Sequence, residues 1–455
     1  MIRLPLFDSA RRHAAIAAVL LILALALGGG GSPSPDSELA IELLAGVAAL
    51  AWLWQRGAIR VPTDGKLWLV AAAVVLLPLI QLIPLPPSIW HALPGRATEV
   101  AALRLVGAEN SWQPLTTSLP RTLASLLAVM PPVILLLMTG ALRPSERRWL
   151  VAATVAMVLL SALIGAMQLG GGESGPRFYD QSPPSLVLGF QANRNSTADV
   201  MLIGLLALAA FWAGRDRTPK RPPSLAANAG LAGAAAALIA LACILTSSRA
   251  GLLLLLPTLA AAWALVADTE QRPWQRFLPA IAAAGFVMAI GALLLGHNPA
   301  IERVAARFSM TDPPRELLWD RTVYAIGQYW PVGSGMGTFV PSYLAFEPLE
   351  DLDPSVPNRA HNDFLELTLE AGVLGLALLA LTAALVGWMA YRAWRDRPED
   401  RGQVGFGFAA LGIIALHSLA DYPMRSISLA SLAAVAAGML AAPPRPRREQ
   451  DHVKA

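Results

Sequence analysis

The length of its apolar runs limits the folding of this chain more than any other feature. A transmembrane helix needs roughly 17–25 mostly apolar residues. Twelve segments meet that requirement, near 14–29, 38–54, 67–84, 120–140, 149–169, 197–213, 226–246, 250–267, 277–296, 363–390, 403–420 and 427–442. Because hydrocarbon offers no hydrogen bonds to the backbone, such segments form helices. The sequence therefore predicts an all-α, polytopic membrane helix bundle with about 12 transmembrane helices.

Composition supports the membrane assignment and excludes other classes. Only 15% of the residues are charged, whereas soluble domains carry about 25%. The net charge of +4 is small and predicts contacts with membrane lipids of the cytosolic leaflet, with no nucleic-acid surface. The single cysteine, Cys243, lies in an apolar run, so an intramolecular disulfide is impossible.

The distribution of Lys and Arg predicts the orientation of the helices. If the N-terminus is cytoplasmic, 23 of the 35 basic residues fall in cytoplasmic segments, as the positive-inside rule requires. Both termini are therefore predicted inside. The chain then divides into helices one to nine (1–296), a large outer loop (297–362), helices ten to twelve (363–442) and a cytoplasmic tail (443–455). The first run also has the features of a cleaved secretory signal, and the sequence leaves both alternatives open.

The large outer loop is predicted to be partly helical. Leu317, Leu318, Thr322 and Ile326 have the spacing of a buried stripe on a helix from about 314 to 329. The following PVGSGMG stretch predicts a tight turn that requires glycine.

Arginines at the outer membrane boundary are candidates for anion binding. Arg194 and Arg249 flank apolar runs, and an arginine near hydrocarbon needs a cavity or a partner. Guanidinium groups bind phosphate oxygens in a two-pronged geometry. The alternative is that Arg194 and Arg249 reach the interface or pair with a carboxylate such as Asp199. A solvated surface role is the alternative for the loop arginines Arg303, Arg307, Arg315, Arg321 and Arg359.

His361 precedes the tenth apolar run and is a candidate base. Histidine titrates near neutrality and can accept a proton from a hydroxyl; the alternative is a helix cap or a bond to a loop carbonyl. Asp363 and Glu366 fit a helix-capping pattern. Glu370 lies one turn further into the run, where a carboxylate needs a cavity or a cation.

Two further clusters have structural interpretations. His417 and Asp421 are four residues apart at the end of the eleventh run, and we expect them to bond each other. The acidic segment around Glu347 and 350–353 is either a solvated loop or a divalent-ion site. No zinc-type spacing of Cys and His occurs, so no metal site is predicted.

Four stretches together resemble a known superfamily, the O-antigen ligases and polymerases, which are bacterial membrane glycosyltransferases. They are GFQANRNSTADVMLIGLLAL, LTSSRAGLLLLL, RELLWDRTVYAIGQYWPVGSGMGTF and RAHNDFLELTLEAGVLGL, supported by HSLADYP and QLIPLPPSIW. The likeness extends over roughly residues 75–430.

The resemblance implies a GT-C-like fold, the inner membrane of a bacterium and an active site that faces the periplasm. It implies a polyprenyl-diphosphate-linked glycan donor, an acceptor hydroxyl on lipid A–core or another glycan, and inverting, metal-independent transfer without a cofactor. By motif position, Arg194, Arg249 and Arg315 would bind the diphosphate and His361 would be catalytic. Supporting roles fall to Asn193, Asn195, Arg359, Asp363, Glu366 and Glu370.

The sequence leaves the reaction step open. A polymerase that extends O-antigen or exopolysaccharide repeats would use nearly the same chemistry as a ligase. A transporter of lipids or polysaccharides is a more remote alternative, because most helix interiors lack the charges that line a transport path.

Overall fold

The computed structural model describes residues 9–30, 35–55, 60–180, 182, 186–214, 225–267, 285, 315–348 and 356–444. Every predicted apolar run is helical there, except the run near 277–296, which lies almost wholly outside the described residues. The helices are α1 (Ser9–Leu27), α2 (Pro35–Leu53), α3 (Gly65–Gln81), α4 (Pro87–Trp90), α5 (Ala97–Leu105), α6 (Leu119–Ala128), α7 (Met130–Ala141), α8 (Pro144–Gly171), α9 (Arg194–Ala213), α10 (Leu225–Leu245), α11 (Arg249–Ala267), α12 (Arg315–Tyr329), α13 (Phe339–Leu344), α14 (Asp363–Asp396), α15 (Arg401–His417) and α16 (Ile427–Leu440).

Small elements complete the described chain. Strands β1 (Pro84–Leu85) and β2 (Gln113–Pro114) pair antiparallel. Three short 3-10 turns lie at Gly172–Ser174, Pro398–Asp400 and Pro423–Arg425.

The architecture is that of a polytopic membrane protein. By length and composition, five helical segments of the described chain can cross a membrane: Leu119–Ala141, Pro144–Ser174, Arg194–Ala213, Arg249–Ala267 and Asp363–Asp396. Shorter apolar helices accompany them, at Gly65–Gln81, Ala229–Leu245 and Ile427–Leu440. The all-α prediction is confirmed.

Helix α9 forms the centre of the bundle. Its apolar window is 83% buried, whereas that of α14 is 17% buried. Helices α8, α10, α11 and α15 pack around α9 and account for this difference. The helix that begins at Arg194 is therefore held on all sides, and α14 lies at the periphery with most of its apolar surface available to lipid.

Helix ends collect at two opposite ends of the bundle. At one end, called the site end here, the last residues of α1, α3 and α15 meet the first residues of α9, α14 and α16. Backbone bonds mark this meeting: Ser428 N–H donates to Gly28 O at 2.9 Å, and Asp363 N–H donates to Ser418 O at 3.0 Å.

Two buried arginines organise the opposite end. Arg147 donates to the carbonyls of Thr139, Leu142, Met439 and Ala441, and Arg397 donates to those of Met439, Leu440 and Ala441. A helix C-terminus leaves carbonyls without helical partners, and cations stabilise them. These side chains therefore fix the ends of α7 and α16. The sequence assigns this end to the cytoplasm, and that assignment stays a prediction.

The helix and the glycine turn predicted in the large loop are present in the described residues, with one correction, and the outer location of the loop stays a prediction. Helix α12 spans Arg315–Tyr329, close to the predicted bounds. Its buried residues are Thr322, Ala325 and Tyr329, whereas Leu317, which was assigned to the buried stripe, is 50% exposed. The prediction that Leu317 is buried is wrong, because the helix packs on α14 through a stripe shifted toward Ala325.

The glycine turn after α12 needs its glycines. Gly333, Gly335 and Gly337 have φ values of +88°, +113° and +81°, a region that favours glycine. A Cβ on Gly333 would meet the backbone of Glu370 at 2.7 Å. The turn therefore packs directly onto α14, as the backbone bond from Gly335 N–H to Glu370 O at 2.8 Å also shows.

Candidate active site

His361 lies at the site end and pairs with Asp421. Its Nδ1 is 2.8 Å from Oδ1 of Asp421, which is 3% exposed. A carboxylate only accepts hydrogen bonds, so in the neutral imidazole Nδ1 carries the proton and Nε2 has the lone pair. The His361 side chain is 28% exposed. A buried carboxylate therefore orients an imidazole whose basic nitrogen can reach a ligand.

The backbone of His361 is in an uncommon conformation. Its φ is +50°, in the left-handed region. Such a conformation costs on the order of 1–3 kcal/mol in a non-glycine residue and persists only when neighbouring contacts enforce it. The ring of Tyr422 lies against the imidazole, with centroids 4.9 Å apart.

Charge on Asp421 is stabilised by its neighbours. Burial by itself raises the pKa of the Asp421 carboxyl, but interactions with His361, with His417 and with the Asn195 side chain outweigh it, and those with His361 are the largest. The pKa of Asp421 is therefore below its ordinary value. Burial raises the pKa of the neighbouring Tyr422 phenol, which stays protonated.

Asn362 caps α14, which corrects the capping prediction. Its side-chain oxygen accepts from the N–H groups of Phe364 and Leu365 at 3.0 and 3.1 Å. Asp363 and Glu366 are not the capping pair, because Asp363 is the first helical residue. Asp363 instead accepts from Ser418 Oγ at 2.9 Å and from Met424 N–H at 3.2 Å.

Arg425 joins the carboxylates of α14. Its Nη1 is 2.7 Å from Glu370 Oε2, and its Nε is 3.3 Å from Glu366 Oε1 and 3.6 Å from Asp363 Oδ1. Burial by itself lowers the pKa of Arg425, but these carboxylates outweigh it, and the pKa is raised. The cation that Glu370 requires is thus Arg425.

Arg359 adds a second positive charge to this network. Its Nη1 is 2.9 Å from Glu366 Oε1, and Glu366 Oε2 accepts from Ala360 N–H at 3.0 Å. Glu366 and Glu370 are fully buried. The network fixes the chain immediately before and after His361 to α14, so it positions the histidine without contacting its ring.

Arg315 reaches the same place from α12. Its guanidinium donates to the carbonyl of Ala420, the residue before Asp421. Trp319, one turn further along α12, donates to Ala360 O at 3.0 Å. The two contacts hold the start of α12 across the segments that carry Asp421 and His361.

The start of α9 reaches Tyr422. Asn193 caps the helix, since its oxygen accepts from Asn195 N–H at 2.8 Å, and its amide donates to the Tyr422 hydroxyl at 3.0 Å. The amide of Asn358 also donates to that hydroxyl, at 3.5 Å. Arg194, half-buried, is the first residue of α9.

Arg249 also begins a helix. It is the exposed first residue of α11. Two residues on, Gly251 packs so closely on α9 that a Cβ there would overlap that of Ala198. Arg194, Arg249 and Arg315 thus each occupy the first position of a helix, where the helix dipole adds positive potential.

His417 and Asp421 do not pair with each other through their side chains, contrary to expectation. Nδ1 of His417 is 2.5 Å from Oδ1 of Asp199, and Asp421 binds His361. Asp199 is therefore not the partner of Arg194 or Arg249 that the sequence also allowed. The four-residue spacing placed both side chains on one side of the helix, but each reaches a different neighbouring segment.

The site contains residues that the sequence did not single out. Arg425, Tyr422 and Asn362 are the main ones. One signal could have indicated Arg425: it is one of the 12 basic residues that the sequence predicts on the outer side. Arg303, Arg307 and the possible ion-binding segment 350–353 lie outside the described residues.

Comparison with known families decides the classification. Residues 234–380 match the family model described as O-antigen ligase. These residues are an O-antigen ligase domain. A comparison with curated proteins finds no match.

The O-antigen ligase domain contains much of the candidate site. Arg249, Arg315 and His361 lie inside the matched residues, as do Glu366 and Glu370. The partners of this domain lie outside it, on α9, at the last residue of α15 and on the segment after α15: Arg194, Asp199, His417, Asp421 and Arg425. The domain implies a ligase- or polymerase-type enzyme that uses lipid-linked glycans.

Proposed function

We propose that the protein transfers a glycan from a polyprenyl diphosphate carrier to a hydroxyl group of lipid A–core, on the periplasmic face of a bacterial inner membrane. The observation that carries this proposal is the His361–Asp421 pair, whose histidine lies within an O-antigen ligase domain. Asp421 holds the Nδ1 proton, which leaves Nε2 to accept the proton of the attacking hydroxyl.

The leaving group would be stabilised by arginines. As the bond between the anomeric carbon and the diphosphate breaks, negative charge grows on the diphosphate oxygens, and preorganised cations stabilise this charge more than the ground state. Arg194, Arg249 and Arg315 are the candidates, each at a helix start. Arg315 spends one of its donors on Ala420, and a guanidinium has five N–H groups, so donors are left for phosphate.

The proposed reaction forms one bond and breaks one. The acceptor oxygen attacks the anomeric carbon from the side opposite the diphosphate, which inverts its configuration. The hydroxyl proton passes to His361, and Asp421 stabilises the resulting imidazolium. Asn193, Asn195 and Tyr422 would hold the start of α9 beside this centre. The arginines supply the positive charge, so the proposed reaction is metal-independent.

Reconstitution tests this function. The full chain is purified in detergent and incubated with a polyprenyl-diphosphate oligosaccharide, lipid A–core and EDTA. We expect a covalent glycan–lipid A–core product with inverted anomeric configuration. Elongated lipid-linked glycan in place of that product would identify a polymerase. A transporter would give no covalent product in this assay and would move the glycan across the membrane after reconstitution into vesicles.

A further inference from the structure

A second histidine–carboxylate pair lies behind the first. His417 and Asp199 are 0% and 1% exposed, and their 2.5 Å contact joins the end of α15 to α9. Charge-assisted N–H···O bonds are shorter than neutral ones, and this contact is shorter than their usual range of about 2.7–2.9 Å. Among the described residues, Nε2 of His417 has no hydrogen-bond partner. The pair therefore acts through one nitrogen, Nδ1, and both side chains are shielded from any substrate.

The two pairs are linked through the end of α15. Asp199 on α9 bonds His417, the last residue of α15. Asp421 follows that helix by four residues, and its N–H donates to the carbonyl of His417 at 2.9 Å. The Asn195 side chain, also on α9, helps to lower the pKa of the Asp421 carboxyl.

This link lies between the two parts of the proposed machinery. Asn195 follows Arg194 directly, and Asp421 orients His361. Ala420 N–H also donates to the His417 carbonyl at 2.9 Å, and the Ala420 carbonyl receives Arg315. The position of the α15 end relative to α9 thus sets the positions of the base and of Arg315.

We propose that His417 and Asp199 are positioning residues for glycan transfer, which hold Asp421 against α9 and thereby fix the orientation of His361. This inference rests on the function proposed above. Neither residue contacts substrate, so neither is a second base. Their role is to keep Asp421 within hydrogen-bond distance of the imidazole when the diphosphate and acceptor bind.

The use of Nδ1 alone permits a sharp test. Asparagine places its amide nitrogen at nearly the same distance from Cβ as histidine places Nδ1. His417→Asn therefore keeps a donor for Asp199 and removes the ring and Nε2. His417→Ala removes the donor as well. His91→Ala is the control, because His91 is an exposed histidine in the loop between α4 and α5, where it binds Glu109 O at 2.8 Å.

The assay uses the full chain with a polyprenyl-diphosphate oligosaccharide and lipid A–core, and it measures kcat and KM for each substrate. Loss of the residues that orient a metal-binding histidine typically costs about 10–100-fold, and we take the same range for a histidine that acts as a base. We expect a kcat loss of that size for His417→Ala and for Asp199→Ala, with little change in the donor KM, because the defect concerns base orientation. His417→Asn should recover most of the rate, and His91→Ala should match the wild type.

A double variant separates positioning from general damage. If His417 acts through Asp421, His417→Ala combined with Asp421→Asn is no slower than Asp421→Asn alone. Wild-type kcat in His417→Ala, multiplied losses in the double variant, or equal defects in His417→Asn and His417→Ala would overturn the inference. If His417→Ala does not fold, the pair His417→Asn and Asp199→Asn is compared instead, and both should retain folding and most of the rate. An active His361→Ala variant would instead overturn the proposed function itself.

Discussion

Nδ1 of His361 lies 2.8 Å from the buried Oδ1 of Asp421, across 60 residues of sequence. The contact fixes the tautomer of the imidazole, because an ionised carboxylate can only accept. Everything proposed about the chemistry depends on this tautomer, since it decides whether Nε2 can take a proton.

The Asp421→Asn substitution tests the tautomer. The amide has almost the same shape but can donate to Nδ1, which would move the imidazole proton to Nε2 and remove the basic lone pair. We expect kcat to fall about 10²–10⁴-fold, the usual contribution of general-base catalysis. Glycan transfer by the purified variant, at matched protein abundance, measures this. Unchanged kcat would show that Asp421 does not orient a base.

The pH dependence of stability also follows from Asp421. Its pKa is below the ordinary value in the folded protein, so its stabilising effect is present above the unfolded pKa of about 3.9 and is lost as pH falls through the folded value. The wild type should therefore unfold at a higher temperature than Asp421→Asn. This difference between the two midpoints should be largest at neutral pH and should shrink below about pH 4. A difference that grows on acidification would contradict the assignment.

Arg425 is expected to matter mainly for stability. Arg425→Gln leaves Glu366 and Glu370 buried without their shared cation, and breaking a buried pair in this way costs about 3–5 kcal/mol. The variant should unfold at a markedly lower temperature in detergent.

The matched control for Arg425 is Arg395, whose 54%-exposed side chain pairs with Asp396 on the surface of α14. Exposed ion pairs contribute little to stability because water screens them, so Arg395→Ala should shift the midpoint little. Equal shifts in the two variants would refute a structural role for the Arg425 network.

Two glycines of α14 should respond in opposite ways to alanine. Gly372 has φ +53° and ψ −143° where the helix is kinked, and a Cβ there would overlap the carbonyl oxygen of Pro331. Gly387 has open space around its Cα. Gly372→Ala should destabilise the protein, whereas Gly387→Ala should be neutral or stabilise it by about 0.5–1 kcal/mol. Thermal unfolding compares them; equal behaviour would mean that the kink is not required.

Local patterns in the sequence were sufficient for the helices. Periodicity predicted α12, and glycine content predicted the turn at 333–337, because both depend on neighbouring residues. The sequence pattern at the start of α14 fits a cap at Asp363 as well as one at Asn362. Only the backbone conformation decides between them, and the structure places the cap at Asn362.

Partners across the bundle could not be predicted in the same way. The spacing of His417 and Asp421 is compatible with a bond between them and with separate partners. Which of the two alternatives occurs depends on the packing of α9 beside α15. This packing places Asp199 Oδ1 2.5 Å from His417 Nδ1. Arg425 was missed for the same reason, because its carboxylates come from α14.

The most direct test of the account is glycan transfer by purified His361→Ala, with binding of the polyprenyl-diphosphate donor measured in parallel. The account predicts that the donor still binds, because the arginines are intact, while transfer falls at least about 10²-fold for loss of the general base. His91→Ala should transfer at the wild-type rate. Transfer at that rate by His361→Ala would contradict the central claim that His361 accepts the proton of the acceptor hydroxyl.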